Sequence, residues 1–508
     1  MKLLVNEFLA QATAQPDKPA VMDCYGTDTY GVLNRRSAIV AARLLDMSQN
    51  PNTGMRVGVL LPRNRAYLTA VLGILRSGGA VVPLEEDYPA ERVHSVLRDA
   101  GCVACISIEQ LSGKVADIPV LTLEDIFADE DTLAVDETIN LSAPDKEGLI
   151  LFTSGSTGKP KGVVHRHTFF SMWLYTVKGY HEFSGKDVTC CMAGMTFIAS
   201  FVDLYPPLMV GGSVYIASST ERMNADMLYK IIQKRHITGM FLPPQMFYVM
   251  RELYGRLPLD YVVLGGEKAK AKYTMDGNIH EVYGSSECAA ILLHKIAQED
   301  SRMLGKPGNG VSVYLVSDDG KLIQEPGVLG ELCVESPWLA LRYNNMPEET
   351  AAKFMDNPFG AGRLFHTGDY MAYDEEGNLL FHGRKDHMVK LRGYRVELGE
   401  VELTVQKANG VQEAACVTIR VHGGDKLACY YIGDQVDSNV LRNHVKAILP
   451  EYMVPDYFVY LADMPRNERN KVDYLALKNM EPPVEEEEYE PPQNNLEAKI
   501  CAAFAEVL

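Results

Sequence analysis

The sequence predicts an α/β protein: a large N-terminal domain of mixed, largely parallel sheets with packed helices, then a small α+β C-terminal domain. Three observations carry that expectation. Up to about residue 384, short β-branched runs alternate with helix-length amphipathic stretches, the pattern of βα units. At 508 residues the chain exceeds what one core ordinarily covers. After Leu477 the composition changes abruptly to KNMEPPVEEEEYEPPQ.

Each element follows in order. The start, MKLLVNEFLAQATAQ, reads as an amphipathic helix, because Asn6 and Glu7 interrupt the apolar core that a signal peptide would need. VGVLL (57–61) is a buried strand, RAYLTAVLGILRSG the helix after it, and AVVPL the next strand. VLTL, GLILFT, GSVYIA, ITGMFL and YVVLGG repeat the theme. From about residue 386, strand-like AACVTIRV and LACYYIG precede the helical NVLRNHVKAIL, a compact α+β unit. The two Pro pairs around EEEEYE mark an extended, self-repelling linker. Beyond it Leu496, Ile500, Ala503 and Val507 recur at helical spacing, with Asn494 and Glu497 at capping spacing. One such helix has nothing to pack on, so it reads as the first element of a further, truncated domain. The expected boundaries are therefore 1–385, 386–478, a linker at 479–493, and the start of another domain at 494–508.

Composition narrows the function. Lys+Arg 49 against Asp+Glu 67 gives a formal charge of -18, which disfavours nucleic acid or an anionic membrane as the main partner. It does not disfavour a nucleotide held locally by backbone amides, a few cations and magnesium. No apolar run approaches the roughly 20 residues that span a bilayer. The ten cysteines form no spaced framework. Cys102 and Cys105 make a lone CxxC within CVACISI, better suited to strand packing than to zinc, which would need a second ligand pair. A reducing cytoplasm is the expected location.

The strongest local signal is LFTSGSTGKPKGVVHRH (151–167), where a buried strand runs into Thr, Ser, Gly and Lys. Glycines let backbone N–H groups wrap phosphate oxygens, hydroxyls add donors and lysines add charge. It is not a Walker loop: two residues separate Gly155 from Gly158, and Pro160 follows the lysine. Thr153-Ser154-Gly155-Ser156-Thr157-Gly158-Lys159-Pro160-Lys161-Gly162 resembles the signature of the adenylate-forming superfamily of acyl-CoA synthetases, luciferases and peptide-synthetase adenylation domains. GGE (265–267), VYGSSE (282–287), GELCVESPWLALRYNN (330–345), HTGDY (366–370), GRKDHMVKLRGYRVELGEVE (383–402) and EYMVPDYFVYLADMPRNERNKVD (451–473) follow in the family's order. The resemblance thus covers nearly the whole chain.

The resemblance implies a role for each motif. Thr153, Ser154, Gly155, Ser156 and Gly158 would close over the ATP phosphates, with Thr157 and Lys161 among the catalytic groups. Gly265, Gly266 and Glu267 would form the turn at the adenine edge, and Tyr283, with Gly284 beside it among the cofactor-binding residues, would stack on the base, a use of a flat apolar face. Glu287 would ligate Mg2+ with hard oxygen. Ser286 keeps the hydroxyl of the family's usual Thr. Asp369, taken alone a turn residue after Gly368, would accept the ribose hydroxyls, supported by Arg384. Lys471 would bridge carboxylate and α-phosphate during adenylation, opposing the repulsion of two anions. Asn470 stands where the family usually has Gly. Asp386 matches the family's hinge, which makes the small domain mobile, and Gly393 would line the tunnel for a phosphopantetheine thiol.

VKLRGYRVELGEVE and EYMVPDYFVYLADMP are close to the peptide-synthetase versions, and the linker lies where a carrier domain would begin. The expected partners are an acid and a carrier-protein domain C-terminal in the same longer chain; an acyl-CoA ligase is the alternative, and a binding module that has lost its chemistry is disfavoured because the motif residues are present. The acid pocket carries over onto Ile198, Ala199, Val202, Phe241, Val263, Gly265, Val282, Ala290 and Ile291. Ile198 stands where most α-amino-acid-activating domains have the Asp that pairs with the substrate ammonium. An unpaired ammonium buried there would cost several kcal/mol, so an α-keto, α-hydroxy, aliphatic or aryl acid is expected. Asp203 is a possible counter-charge for an amino acid, and a hydrophobic α- or β-amino acid remains the alternative substrate.

Overall fold

The computed structural model describes residues 1–47, 54–153, 160–267, 269, 278–295, 303–385, 388–391, 394–421, 424–466 and 472–480. Two mixed sheets form the large part. In one, Ala80–Leu84, Arg56–Leu60, Ala104–Ser107 and Val120–Thr122 run parallel beside Glu147–Thr153, which turns back as Lys161–Arg166. The helix Ala66–Arg76, predicted from RAYLTAVLGILRSG, is buried on all sides and so fits between layers rather than on a surface. It packs with the helix Tyr30–Met47 into a core that reaches both sheets.

The second sheet changes character partway. Pro19–Met22, Ser213–Ile216, Val188–Cys191, Gly239–Leu242, Tyr261–Gly265 and Ile279–Ser285 are parallel neighbours. From Ile279–Ser285 onward the pairing is antiparallel, through Ala289–Lys295, Met303–Pro307, Leu379–Arg384, Arg363–Tyr373, Gly330–Glu335 and Ser312–Val316. The βα alternation read along the sequence thus stops near residue 279. Beyond it several connections are tight turns, with Gly320 and Gly377 at φ +81 and +76, and a turn joins antiparallel strands where a crossover helix joins parallel ones.

Residues 388–480 form a separate small unit. Val411–Val421 pairs antiparallel with Gly424–Gly433, which pairs parallel with Tyr457–Tyr460. One face of this sheet carries the helices Leu398–Gln406 and Ser438–Lys446 through Val401, Val405, Leu441 and Val445. The opposite face packs Met464, Val472, Tyr474 and Leu477. Cys102 and Cys105 are buried in apolar packing beside Val96 and Leu97. The acidic linker at 479–493 lies outside the described residues from 481 on, as does the predicted helix at 494–508. No helix among the described residues is long and apolar enough to cross a membrane.

Candidate active site

A cleft lined by Ala193, Phe241, Gly265 and Val282 among others opens at the carboxyl ends of the parallel strands, beside the strand where the sheet switches to antiparallel. Open α/β sheets place ligands at such switch points. Its walls divide into a polar and an apolar half.

The polar half is built on the antiparallel strands. Asp369 and Arg384 are directly opposed across the strand pair, the position where opposite charges stabilise each other. Arg384 donates to Asp369 Oδ1 at 2.6 Å and to the Thr367 carbonyl at 3.3 Å, and Thr367 Oγ1 accepts from the Asp369 N–H at 3.0 Å. The Tyr283 hydroxyl donates to Asp369 Oδ2. Burial, then the Asp369 charge, pushes the Tyr283 phenol well above its ordinary value, so it remains a neutral donor. Asp369, Arg384, Gly284, Ser286 and Glu287 line the cleft; Tyr283 is buried behind it. Gly284 is needed where it stands, because a Cβ would lie 2.0 Å from the Ala289 carbonyl oxygen.

Glu287 accepts from the Tyr343 hydroxyl at 2.9 Å and is 1% exposed. Beneath this turn His165 lies stacked on Phe169, with ring centroids 3.7 Å apart, and its Nε2 is 2.7 Å from the Ser286 carbonyl. Burial pushes its pKa down to about 4, so the ring is neutral with the proton on Nε2. Thr153 lines the cleft, and its buried hydroxyl oxygen has no hydrogen-bond partner. Gly265 and Gly266 line the cleft, Gly266 at φ +86, and Glu267 follows them at the strand end. Glu287 suits Mg2+ as a hard oxygen donor. The described residues contain no group of three His, Cys, Asp or Glu able to hold a metal ion.

The apolar half collects Ile198, Ala199, Phe241, Gly265, Val282 and Ala290 from the predicted pocket set. Val202, Val263 and Ile291 are not brought to the cleft surface; they are buried behind it, 0%, 5% and 0% exposed. Asp203 does not supply a counter-charge here. It is 0% exposed, both carboxyl oxygens face the Phe241 N–H at 3.0 and 3.2 Å, and burial pushes its pKa well above the ordinary carboxyl value. Lys161 also points elsewhere: it is 4% exposed, ion-paired with Glu349 and 5.8 Å from the Tyr343 ring centroid. Ser154, Gly155, Ser156, Thr157, Gly158, Asp386, Gly393 and Lys471 lie outside the described residues.

The structure adds residues the sequence did not single out. Arg63, 4% exposed, donates to the carbonyls of Cys191, Ala193 and Ala217, which fixes the backbone of the cleft-lining Met192–Gly194 stretch. Glu85 holds Thr196 through its N–H and hydroxyl, both at 3.0 Å. The small unit closes one side. Tyr394 and Tyr452 are stacked at 4.2 Å, Tyr394 meets Phe197 edge-on at 4.6 Å, and Arg222 donates to the Tyr394 hydroxyl at 3.1 Å. Arg63, Glu85 and Arg222 lie in none of the motifs above, whereas Tyr394 and Tyr452 lie within GRKDHMVKLRGYRVELGEVE and EYMVPDYFVYLADMPRNERNKVD. Behind this contact Arg92 of the large part and Glu400 of the small unit form a 2.7 Å ion pair, 5% and 2% exposed. Arg466 and Val472, which bracket Lys471 in the sequence, form an isolated antiparallel bridge. Val472 packs on the sheet face opposite the one that carries Tyr394 and Tyr452.

A family model described as AMP-binding enzyme matches residues 8–344. Bacitracin synthase 3 of Bacillus licheniformis is 33% identical over 100% of this chain and 8% of its own length. Tyrocidine synthase 1 of Brevibacillus parabrevis is 31% identical over 99% of this chain and 47% of its own. The chain therefore spans less than half the length of either relative. Among solved structures, a four-domain nonribosomal peptide synthetase bound to AMP and glycine is 26% identical with a TM-score of 0.69, covering 100% of this chain and 38% of that one. An artificially fused adenylation–PCP di-domain from Klebsiella oxytoca has a TM-score of 0.81 at 24% identity, over 90% and 93% of the two chains, a likeness of fold.

Proposed function

The chain belongs to the AMP-binding, adenylate-forming ligases, in the branch of peptide-synthetase adenylation domains, and from that premise we propose that it activates a hydrophobic carboxylic acid without a free α-ammonium and passes it to a carrier-bound phosphopantetheine thiol. The observation that carries the acid class is the apolar half of the cleft. Ile198 stands at its start, Asp203 faces a backbone N–H instead, and Arg222, which lines the cleft there, would repel an ammonium. The alternatives are a hydrophobic α- or β-amino acid as substrate and free CoA as acceptor.

In the first step an acid oxygen attacks the α-phosphorus of ATP, and the bond to pyrophosphate breaks. Asp369, held by Arg384 and Tyr283, offers carboxylate oxygens to the ribose hydroxyls, and Thr153 offers its unpaired hydroxyl to phosphate. Mg2+, when bound at Glu287, neutralises phosphate charge. Lys471 would bridge the two anions. Ser154–Gly158 and Lys161, with Thr157, belong to the same loop reading; the Lys161–Glu349 ion pair argues for a supporting place for that lysine. In the second step the thiol loses its proton, its sulfur attacks the acyl carbon, and AMP leaves.

The division of the chain into 1–385, 386–478, a linker at 479–493 and a carrier-domain start at 494–508 is part of this reading, with Asp386 the hinge. The pose of the small unit supports the second step: Tyr394, beside Gly393, reaches the cleft, while Val472, beside Lys471, packs on the far face. The test is ATP–pyrophosphate exchange across keto, hydroxy, aliphatic, aryl and amino acids of matched skeleton. Exchange with amino acids alone would overturn the acid class. Formation of free acyl-CoA in place of a loaded carrier would overturn the acceptor.

A further inference from the structure

Arg222 stands on the short turn Glu221–Met223, which follows the strand Ser213–Ile216. The turn is pinned: Glu221, 7% exposed, accepts from the Tyr215 hydroxyl and the Ser218 N–H, both at 2.8 Å. Arg63 holds the Ala217 carbonyl just before it. On that fixed base Arg222 is half-buried and lines the cleft. Its Nη2 donates to the Tyr394 hydroxyl of the small unit. Among the described residues its Nε and Nη1 have no hydrogen-bond partner, and neither nitrogen is sealed from solvent. Its charge reaches Asp87, whose carboxyl is pushed up by burial and by Glu85, but the two form no ion pair.

A guanidinium carries its N–H donors in a rigid fork, so a cleft-lining arginine with one nitrogen engaged has donors in reserve. The wall around it is aromatic: Phe197, Tyr394 and Tyr452 line the same side. Thr196, beside them, already gives its N–H and hydroxyl to Glu85. An amide carbonyl drawn from water into such a passage needs a donor, and a charged donor makes the stronger bond. Tyr394 follows Gly393, so Arg222 stands where the small unit meets the cleft. We propose that Arg222 binds the thiol arm: its remaining N–H groups donate to an amide carbonyl of the phosphopantetheine as the thiol enters beside Tyr394. This rests on the transfer reading above and deepens it. An acceptor oxygen on the acid would meet the same donors, and the test separates the two sources.

The test measures thioester formation from an acid that supports pyrophosphate exchange, with small thiols as probes: pantetheine and N-acetylcysteamine, which carry amides, and 2-mercaptoethanol, which carries none. The native chain should favour N-acetylcysteamine over 2-mercaptoethanol in kcat/KM by ~10-fold or more. Arg222→Met, which keeps an unbranched stem but no donor, should bring that ratio within about 2-fold through a higher KM for the amide-bearing thiols. No amide preference in the native chain, which needs no variant to fold, overturns the proposal. An equal fall on both kinds of thiol in Arg222→Met also overturns it, by making the residue a prop for Tyr394 alone. A rise confined to the KM for the acid in pyrophosphate exchange overturns it by giving the donors to the acid. Thioester formation that is blind to the amide leaves the transfer reading standing, whereas exchange without thioester on any thiol or carrier removes both.

Discussion

The polar and apolar halves of the cleft are built by opposite means. On the polar side the two carboxylates already have partners: Asp369 is held by Arg384, Tyr283 and, through its N–H, Thr367, and Glu287 by Tyr343. Charges fixed before the ligand arrives need little reorganisation, which is what stabilising a developing phosphate charge requires. On the apolar side, Ile198, Ala199, Phe241, Val282 and Ala290 offer surface, and Asp203, buried behind it, is turned to the Phe241 backbone. The first half can orient one chemical group for any substrate; the second selects the substrate by what it leaves unsatisfied.

That contrast can be broken most severely on the polar side. Lys471→Ala should lower pyrophosphate exchange by ~10²-fold or more, the scale of losing a transition-state charge. Transfer from pre-formed adenylate to a carrier thiol should fall much less, and an equal loss in both steps would contradict the role. Next in size, Ile198→Asp moves a charge into the apolar half. The native chain should prefer a branched 2-oxo acid to leucine or valine, by roughly a hundredfold if an unpaired ammonium costs ~3 kcal/mol. The Asp variant should narrow or invert that ratio, read as kcat/KM for each acid; a native preference for the amino acid would mean that the wall does not select as described.

A smaller effect lies at the junction of the two parts. Glu400→Ala strands Arg92 in a buried position, which disfavours the present pose of the small unit. Thiol transfer should slow by about 10-fold while exchange stays within about 2-fold, since exchange belongs to the other pose. Equal slowing of both reactions would place the pair outside the domain movement. The smallest effect is on stability. Burial holds the pKa of His165 and of His167 down to about 4, below the ordinary value of 6.5. The unfolded chain therefore binds more protons between pH 6.5 and 4, so the stability that these residues contribute is full above about 6.5 and is lost as pH falls toward about 4. Melting curves from pH 7 to 5 should show a shallower loss for His165→Asn, equivalent to about one proton fewer taken up on unfolding.

The sequence made the polar half legible because its groups come in short contiguous motifs. HTGD places Asp369, and the strand register then sets Arg384 opposite it. The α/β class was equally readable from alternation, up to the point near residue 279 where tight turns replaced crossover helices. The apolar half was only partly legible. Ile198, Phe241 and Val282 reach the cleft, but Val202, Val263 and Ile291 are one layer back, and depth behind a wall leaves no trace in residue type. Arg222 and Arg92 owe their places to tertiary juxtaposition: Arg222 matters because Tyr394 docks beside it, 172 residues away. Lys161 has the composition of a phosphate ligand, yet a carboxylate from the helix Pro347–Lys353 takes it.

The ion pair of Arg92 and Glu400 has one more consequence. Removing two charges from water costs about as much as their attraction returns, so this contact adds little grip. What it adds is intolerance of misalignment, because a slightly wrong angle keeps the dehydration and forfeits the attraction. If the small unit rotates between the two steps as proposed, the pair acts as a detent: passage in and out is cheap, while stopping between positions is expensive. An enzyme that must present one face of a small domain and then another needs sharp stops more than strong ones, and replacing the pair with well-packed Met and Leu would be expected to stiffen the joint and blur its stops.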